Sequence, residues 1–236
     1  MIGVVVPANN EEAAIGRCLD ALTMAARHAS LDGEEVRVLV VLDCCDDHTE
    51  NIVRARGIGC LQGEMHNVGA ARALGARALI DAGARWLAFT DADSEVAPDW
   101  IARQLEARAE AVCGVVAVAD WSEHSAETRA EYESRYTDAE GHRHIHGASL
   151  GVATHAYLKA GGFSPLRCSE DVALVQQLSA IGADIRWTNS VRVHTSARRV
   201  ARAPHGFAAF VSGLPGSALQ VSPPSICTAS FTSLAS

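Results

Sequence analysis

The feature that most constrains this chain is a repeated alternation of short apolar runs with helical segments, each run closing on a polar cluster. Residues 2–6 (IGVVV), 36–42 (VRVLVVL), 86–90 (WLAFT) and 112–119 are rich in β-branched and aliphatic side chains and lack polar alternation, the pattern of strands buried on both faces. A shorter strand is expected at 58–61, and Pro7 is expected to stop the first one. Between the runs, Ile15, Cys18, Leu19 and Leu22 recur at helical spacing within 11–28. A short helix ends near Gly57, an Ala-, Leu- and Arg-rich helix covers 68–82 before Gly83, and another covers 98–111. Strands alternating with helices predict an α/β fold, Rossmann-like, with a mostly parallel sheet flanked by helices. Ligands of such sheets bind beyond the carboxyl ends of the strands, so the polar clusters 9–12, 43–49 and 91–93 should converge on one edge.

The second half is less regular. It reads as a polar helix over 122–139, a loop carrying His142, His144 and His146, a strand over 148–153 and a turn at Gly161, Gly162 and Phe163. A helix over 170–181 and short strands at 185–187 and 191–193 follow. The expected organisation is one domain over 1–212, with a nucleotide-binding half (1–120) and an acceptor-side half (121–212). Residues 213–236, dominated by Ser, Pro, Gly and Thr without periodicity, read as a disordered tail.

Hydrophobic residues at 48% and charged residues at 20% exclude wholesale disorder, collagen and coiled coil. A net charge of −8 argues against a general grip on nucleic acid or an anionic membrane, so any phosphate must be met locally by a metal or a few placed cations. Seven scattered cysteines without a CxxC pair indicate neither a disulfide framework nor a zinc knuckle. With no signal peptide and no transmembrane segment legible, the expected location is cytoplasmic. Asp91 and Asp93, two apart after a buried strand, project to one side in extended chain and suit a hard cation, Mg²⁺ or Mn²⁺, shared with substrate phosphates. Taken alone, the pair reads more readily as a solvated acidic turn capping the next helix.

The segments VVVPANNEE (4–12), VLDCCDDHTE (41–50), NVGAARALGARAL (67–79), FTDADSEVAPDWI (89–101), HGASLGV with GGF (146–163) and SED (169–171) occur in that order. Together they resemble a family 2 glycosyltransferase with the GT-A fold, over about residues 1–210. The resemblance implies a nucleotide pocket lined by Pro7, Ala8, Asn10 and Glu11, with Asn9 where an aromatic residue often stands. It implies that Asp43 recognises base or ribose, although Leu42, Cys44 and Cys45 depart from the common Asp-Asp-Gly-Ser pattern. Cys44 and Cys45 read as small buried turn residues. Asp91 and Asp93 correspond to the metal and diphosphate site, with His194 a further metal ligand. Asn67 and Gly69 correspond to a loop beside the diphosphate, and Arg72, by default an exposed helix arginine, could assist there. Arg198 and Arg199 could neutralise the departing diphosphate.

Asp171, in the first turn of a helix, corresponds to the catalytic base of inverting members; its bland reading is a helix N-terminal acid. The alternating histidines could face one way as metal ligands, but a structural role is the simpler expectation. A Gln-x-x-Arg-Trp pattern is absent, which points to non-processive transfer. The function implied is metal-dependent transfer of a sugar from a nucleotide diphosphate sugar to a small-molecule, lipid or glycan acceptor, with inversion. Two alternatives remain: a sugar-phosphate nucleotidyltransferase, and a catalytically silent nucleotide-sugar binder.

Overall fold

The computed structural model describes residues 1–122, 125–166 and 168–196. Arg198, Arg199 and the expected tail over 213–236 lie outside the described residues. In chain order the elements are β1 (Ile2–Ala8), α1 (Ile15–Ala25), a 3-10 turn (Ala29–Leu31), β2 (Val36–Asp43), α2 (Thr49–Ala55), β3 (Gly59–Gly63), α3 (Val68–Asp81) and β4 (Trp86–Phe89). They continue with β5 (Ser94–Val96), α4 (Trp100–Glu106), β6 (Ala111–Asp120), α5 (Ala126–Arg135), β7 (Leu150–Ala153), α6 (Thr154–Lys159), α7 (Glu170–Ala180) and β8 (Ile185–Ser196).

Among the described residues the eight strands form one sheet in the order β3-β2-β1-β4-β7-β6-β8-β5, to which both halves contribute. The pairs β3/β2, β2/β1, β1/β4 and β6/β8 are parallel, while β4/β7, β7/β6 and β8/β5 are antiparallel. β1 is buried along its whole length and lies between β2 and β4, which is why its sequence is continuously apolar. On α1, Ile15, Cys18, Leu19, Leu22 and Ala25 form the buried stripe that the spacing predicts.

Several boundaries differ from the sequence expectation for identifiable reasons. Pro7 does not stop β1. The Val5 carbonyl accepts from Thr90 N on the β4 side, and Pro7, two residues on, turns its nitrogen to that same side, past the last β4 partner. No ladder hydrogen bond is lost there. The helix expected over 98–111 is only Trp100–Glu106, because Arg108 takes a left-handed φ of 50° and releases the chain into β6. The acidic turn after β4 continues into a strand, β5, on the sheet edge. The two short strands expected at 185–187 and 191–193 are one strand, β8, whose pairing with β6 shifts register between Cys113 and Val115. α6 went unread because six residues show little periodicity.

Phe89, fully buried at the end of β4, meets Phe163 edge-on at 4.9 Å and stacks on Tyr157 at 6.1 Å. It anchors the strand that delivers Asp91. Phe89→Ala is expected to cost about 3–5 kcal/mol of unfolding free energy in a urea titration. A loss below about 1 kcal/mol would contradict this packing.

Candidate functional site

The loops after β1 and β2 are laced together. Asn9 Nδ2 donates to the carbonyls of Asp43 (2.7 Å) and Cys44 (3.2 Å). Asn10, at φ 53°, donates through Nδ2 to Asp46 Oδ1 (2.5 Å) and accepts from Asp46 N (2.9 Å). Glu11 N donates to Thr49 Oγ1 (2.8 Å), and Pro7 and Ala8 are buried beneath these loops. The two clusters therefore meet at the strand ends, as the fold requires. Cys44 and Cys45 are half-buried turn residues; Cys44 stands at φ 56°, a conformation that favours glycine, and Cys45 Sγ lies 3.4 Å from the Ala8 carbonyl.

Asp43 is buried, and its carboxylate accepts from the backbone N–H groups of Met65 (2.6 Å), His66 (3.1 Å) and Asn67 (2.8 Å). Burial pushes this carboxyl up, but the three N–H donors outweigh it and hold the group below its usual range. Asp43 thus organises the β3–α3 loop. Asn67 then caps α3 by accepting from Ala70 N (2.8 Å) and donates through Nδ2 to the Leu166 carbonyl (2.9 Å). Gly69 brings the first turn of α3 against Ser164 and Glu170, since a Cβ there would meet Ser164 O at 2.6 Å and Glu170 Cβ at 3.0 Å.

Asp43→Ala leaves those three donors without their partner and should lower stability by about 1–3 kcal/mol at pH 7. The folded pKa is depressed, so this contribution is present above the unfolded value of about 3.9 and disappears as pH falls through the lower folded value. Urea midpoints of wild type and variant should converge as pH falls below the unfolded value of about 3.9. A gap that stays constant with pH would place the stabilisation outside the carboxylate.

Asp91 and Asp93 do not sit in extended chain. They flank a turn in which Ser94 N donates to the Asp91 carbonyl (3.1 Å), Ala92 is buried and both acids are half-buried. Arg72 is not the exposed arginine expected by default: it is 3% exposed and pairs with Asp91 Oδ1 (2.5 Å) and with Glu170. Its burial follows from its place on the α3 stripe of Gly69, Arg72, Gly75, Ala76 and Leu79. Glu170 is also buried; burial raises its carboxyl and the Arg72 guanidinium opposes the rise.

Asp171, half-buried in the first turn of α7, accepts from Gly147 N at Oδ2 (2.8 Å) and from Val172 N at Oδ1 (2.8 Å). Next to Gly147, His146 Nε2 lies 3.1 Å from Tyr136 Oη, which itself accepts from Val116 N (2.9 Å). The hydroxyl proton therefore goes to His146, whose ring is pushed down to about 4 by burial and by His144 and His142. The histidines stack rather than converge: His144 lies 4.2 Å from Tyr136 and 5.5 Å from His142, and His144 Nε2 accepts from Thr137 N. Among the described residues they form no group that could hold a metal ion.

His194 is exposed on β8, opposite Glu95 of β5. Among the described residues no three His, Cys, Asp or Glu side chains form a group that could hold a metal ion, so Asp91, Asp93 and His194 make no ready three-ligand cage. The donor set still fits a hard cation. The carboxylates of Asp91, Glu170 and Asp171 act on a single guanidinium, with Asp93 on the same turn as Asp91, and excess carboxylate oxygen suits Mg²⁺ or Mn²⁺ completed by phosphate and water. The sequence reading did not foresee the pairing of Glu170 with Arg72, the Gly147 N–H bond to Asp171 or the stacking of the rings, none of which a local pattern reports; the helical spacing of α3 bore only on the burial of Arg72.

Fold and site define an α/β chain with a strand-end carboxylate cluster. Residues 3–159 match the family model described as Glycosyl transferase family 2, and the chain belongs to that family. The match stops short of Asp171. Similar solved structures include S. aureus TarS 1-349 in complex with UDP-GlcNAc (TM-score 0.62, 16% identity, 86% of this chain, 60% of that one). Mannosyltransferase PcManGT from Pyrobaculum calidifontis, in complex with GDP-Man and Mn²⁺, matches at TM-score 0.64 and 19% identity over 84% of this chain and 57% of that one. Glucosyl-3-phosphoglycerate synthase from Mycobacterium tuberculosis, with Mn²⁺, UDP and phosphoglyceric acid, matches at TM-score 0.58 and 19% identity over 84% and 71%. The chain thus spans about 60% of the length of TarS 1-349. No curated protein matches the sequence. Among the described residues no helix is long and apolar enough to cross a membrane.

Proposed function

We propose that the chain transfers one sugar from a nucleoside diphosphate sugar to a hydroxyl acceptor, with inversion and without processivity. The observation that carries this reading is the meeting, at one sheet edge, of the laced loops after β1 and β2, the Asp91–Asp93 turn and the carboxylate of Asp171. Pro7, Ala8, Asn10, Glu11 and Asp43 would line the nucleoside side, with Asn67 and Gly69 beside the diphosphate. Asp91 and Asp93 would hold Mn²⁺ or Mg²⁺ with the donor phosphates, with His194 an additional ligand only if the chain rearranges around it. A bound divalent ion supplies charge stabilisation for the leaving diphosphate.

Asp171 accepts the acceptor's hydroxyl proton as that oxygen bonds to the anomeric carbon. The bond from that carbon to the phosphate oxygen breaks, and its electron pair leaves with the nucleoside diphosphate. Two backbone N–H donors hold the Asp171 carboxylate in one orientation, which limits the reorganisation that proton transfer requires. The cytoplasm, where nucleotide sugars and reduced cysteines are both at home, is the location we infer.

A thermal-shift panel of nucleoside diphosphates with and without Mn²⁺ tests the donor reading, because a ligand selective for the folded state stabilises it by mass action. Selective, Mn²⁺-dependent stabilisation by one diphosphate is expected. Release of pyrophosphate from a nucleoside triphosphate and a sugar phosphate would favour a nucleotidyltransferase instead.

A further inference from the structure

Both terminal nitrogens of Arg72 are engaged by carboxylates, Nη2 with Asp91 and Nη1 with Glu170, and its buried Nε has no partner. The side chain is therefore not offered to a phosphate. A guanidinium is a rigid planar fork, so it fixes the separation of two acids that stand on different elements, one after β4 and one opening α7. Phe163 of the Gly-Gly-Phe turn lies beneath it, 5.8 Å from Cζ to the ring centroid. Gly147 closes the other side. A Cβ at Gly147 would meet Arg72 Nη1 at 2.4 Å and Cζ at 2.5 Å, a collision with the guanidinium itself. Gly147 is not among the positive-φ glycines, so that collision is the main obstacle to a side chain there. The same Gly147 donates its N–H to Asp171 Oδ2 at 2.8 Å.

A continuous path of contacts thus runs from Asp91 through the guanidinium to Gly147 and Glu170, and from both of these to Asp171. We propose that Arg72 is a positioning residue for the transfer step: by clamping Glu170 and backing Gly147 it aims the Asp171 carboxylate relative to the donor carboxylate Asp91. The proposal rests on the donor-and-base reading above. It goes further by assigning Arg72 to acceptor activation in place of diphosphate binding.

The test uses the full chain with Arg72→Lys, Gly147→Ala and the double variant. Affinity is measured with UDP and GDP in the presence of Mn²⁺, and turnover as nucleoside diphosphate released from UDP-glucose, UDP-N-acetylglucosamine and GDP-mannose. Melting temperatures establish that each variant is folded, and Gly147→Ala carries the test if Arg72→Lys is not. Arg72→Lys keeps the charge but cannot span two acids, so nucleotide affinity and donor KM should stay within about threefold while kcat falls about tenfold or more. Gly147→Ala alone should lower kcat by a similar factor. In the Arg72→Lys background it should add less than about twofold, because the guanidinium it displaces is already gone.

Loss of nucleotide affinity with kcat retained would overturn the proposal and make Arg72 a donor ligand. Fully additive losses in the double variant would overturn it too, since the two positions would then act independently. If the unsubstituted chain neither binds a nucleoside diphosphate nor turns over any donor, the transferase reading fails, and this proposal fails with it before any substitution is considered.

Discussion

Asp171→Asn is expected to keep donor affinity within a few-fold while transfer falls by about 10² or more, the scale of general-base removal. An alcohol is a poor nucleophile until its proton is taken in the transition state, and an amide cannot take it. The substitution is a fair probe because the asparagine carbonyl can still accept from Gly147 N, at the cost of the second bond from Val172 N. Donor binding should be spared because Asp91 and Asp93 stand on a different element from α7. Parallel loss of donor binding and transfer would make Asp171 a donor-site or structural acid. If transfer survives, the base lies elsewhere. Glu170 is a weak substitute, being buried and paired with Arg72. His146 has a ring nitrogen engaged by Tyr136 Oη.

The second large effect concerns Asp93. Asp93→Ala should abolish Mn²⁺-dependent stabilisation by nucleoside diphosphate. Asp93 stands with Asp91 on the turn proposed to hold the ion, so the substitution removes one of the two carboxylates that turn offers. At a ligand concentration about 100 times Kd the unsubstituted chain gains about 2.7 kcal/mol, which for a chain of this size is a rise of roughly 5–10 °C in Tm. The variant should melt near the wild-type temperature without nucleotide and show no rise with it. A rise as large as that of the wild type would remove Asp93 from the site.

How much of this was legible in the sequence follows from what each element reports locally. β1, β4 and the buried second half of β2 announce themselves because strand segments covered on both faces must be apolar, and the polar clusters that end them mark the functional edge without any long-range information. β5 and the full extent of β8 could not be read. Edge strands and a strand that changes register take their form from partners distant in sequence, such as the pairing of Ser94 with Thr195. The site divides in the same way. The strand-end acids stood in the sequence as candidates, whereas the commitment of Asp43 to the 65–67 backbone and the burial of Arg72 between Asp91 and Glu170 join residues 19 to 98 positions apart. The histidines illustrate the limit of spacing arguments: alternation allowed a shared face for a metal but could not show that His144 and His146 stack on Tyr136 and His142 on His144.

The most direct measurement incubates the full chain with Mn²⁺ and UDP-glucose, UDP-N-acetylglucosamine or GDP-mannose, and follows free nucleoside diphosphate beside the Asp93→Ala and Asp171→Asn variants. The account predicts slow release from at least one donor by the unsubstituted chain, none above background by Asp93→Ala, and retained donor binding with release reduced about 10²-fold in Asp171→Asn. Binding of a nucleotide sugar with no release by any of the three proteins would contradict it and leave a silent nucleotide-sugar binder.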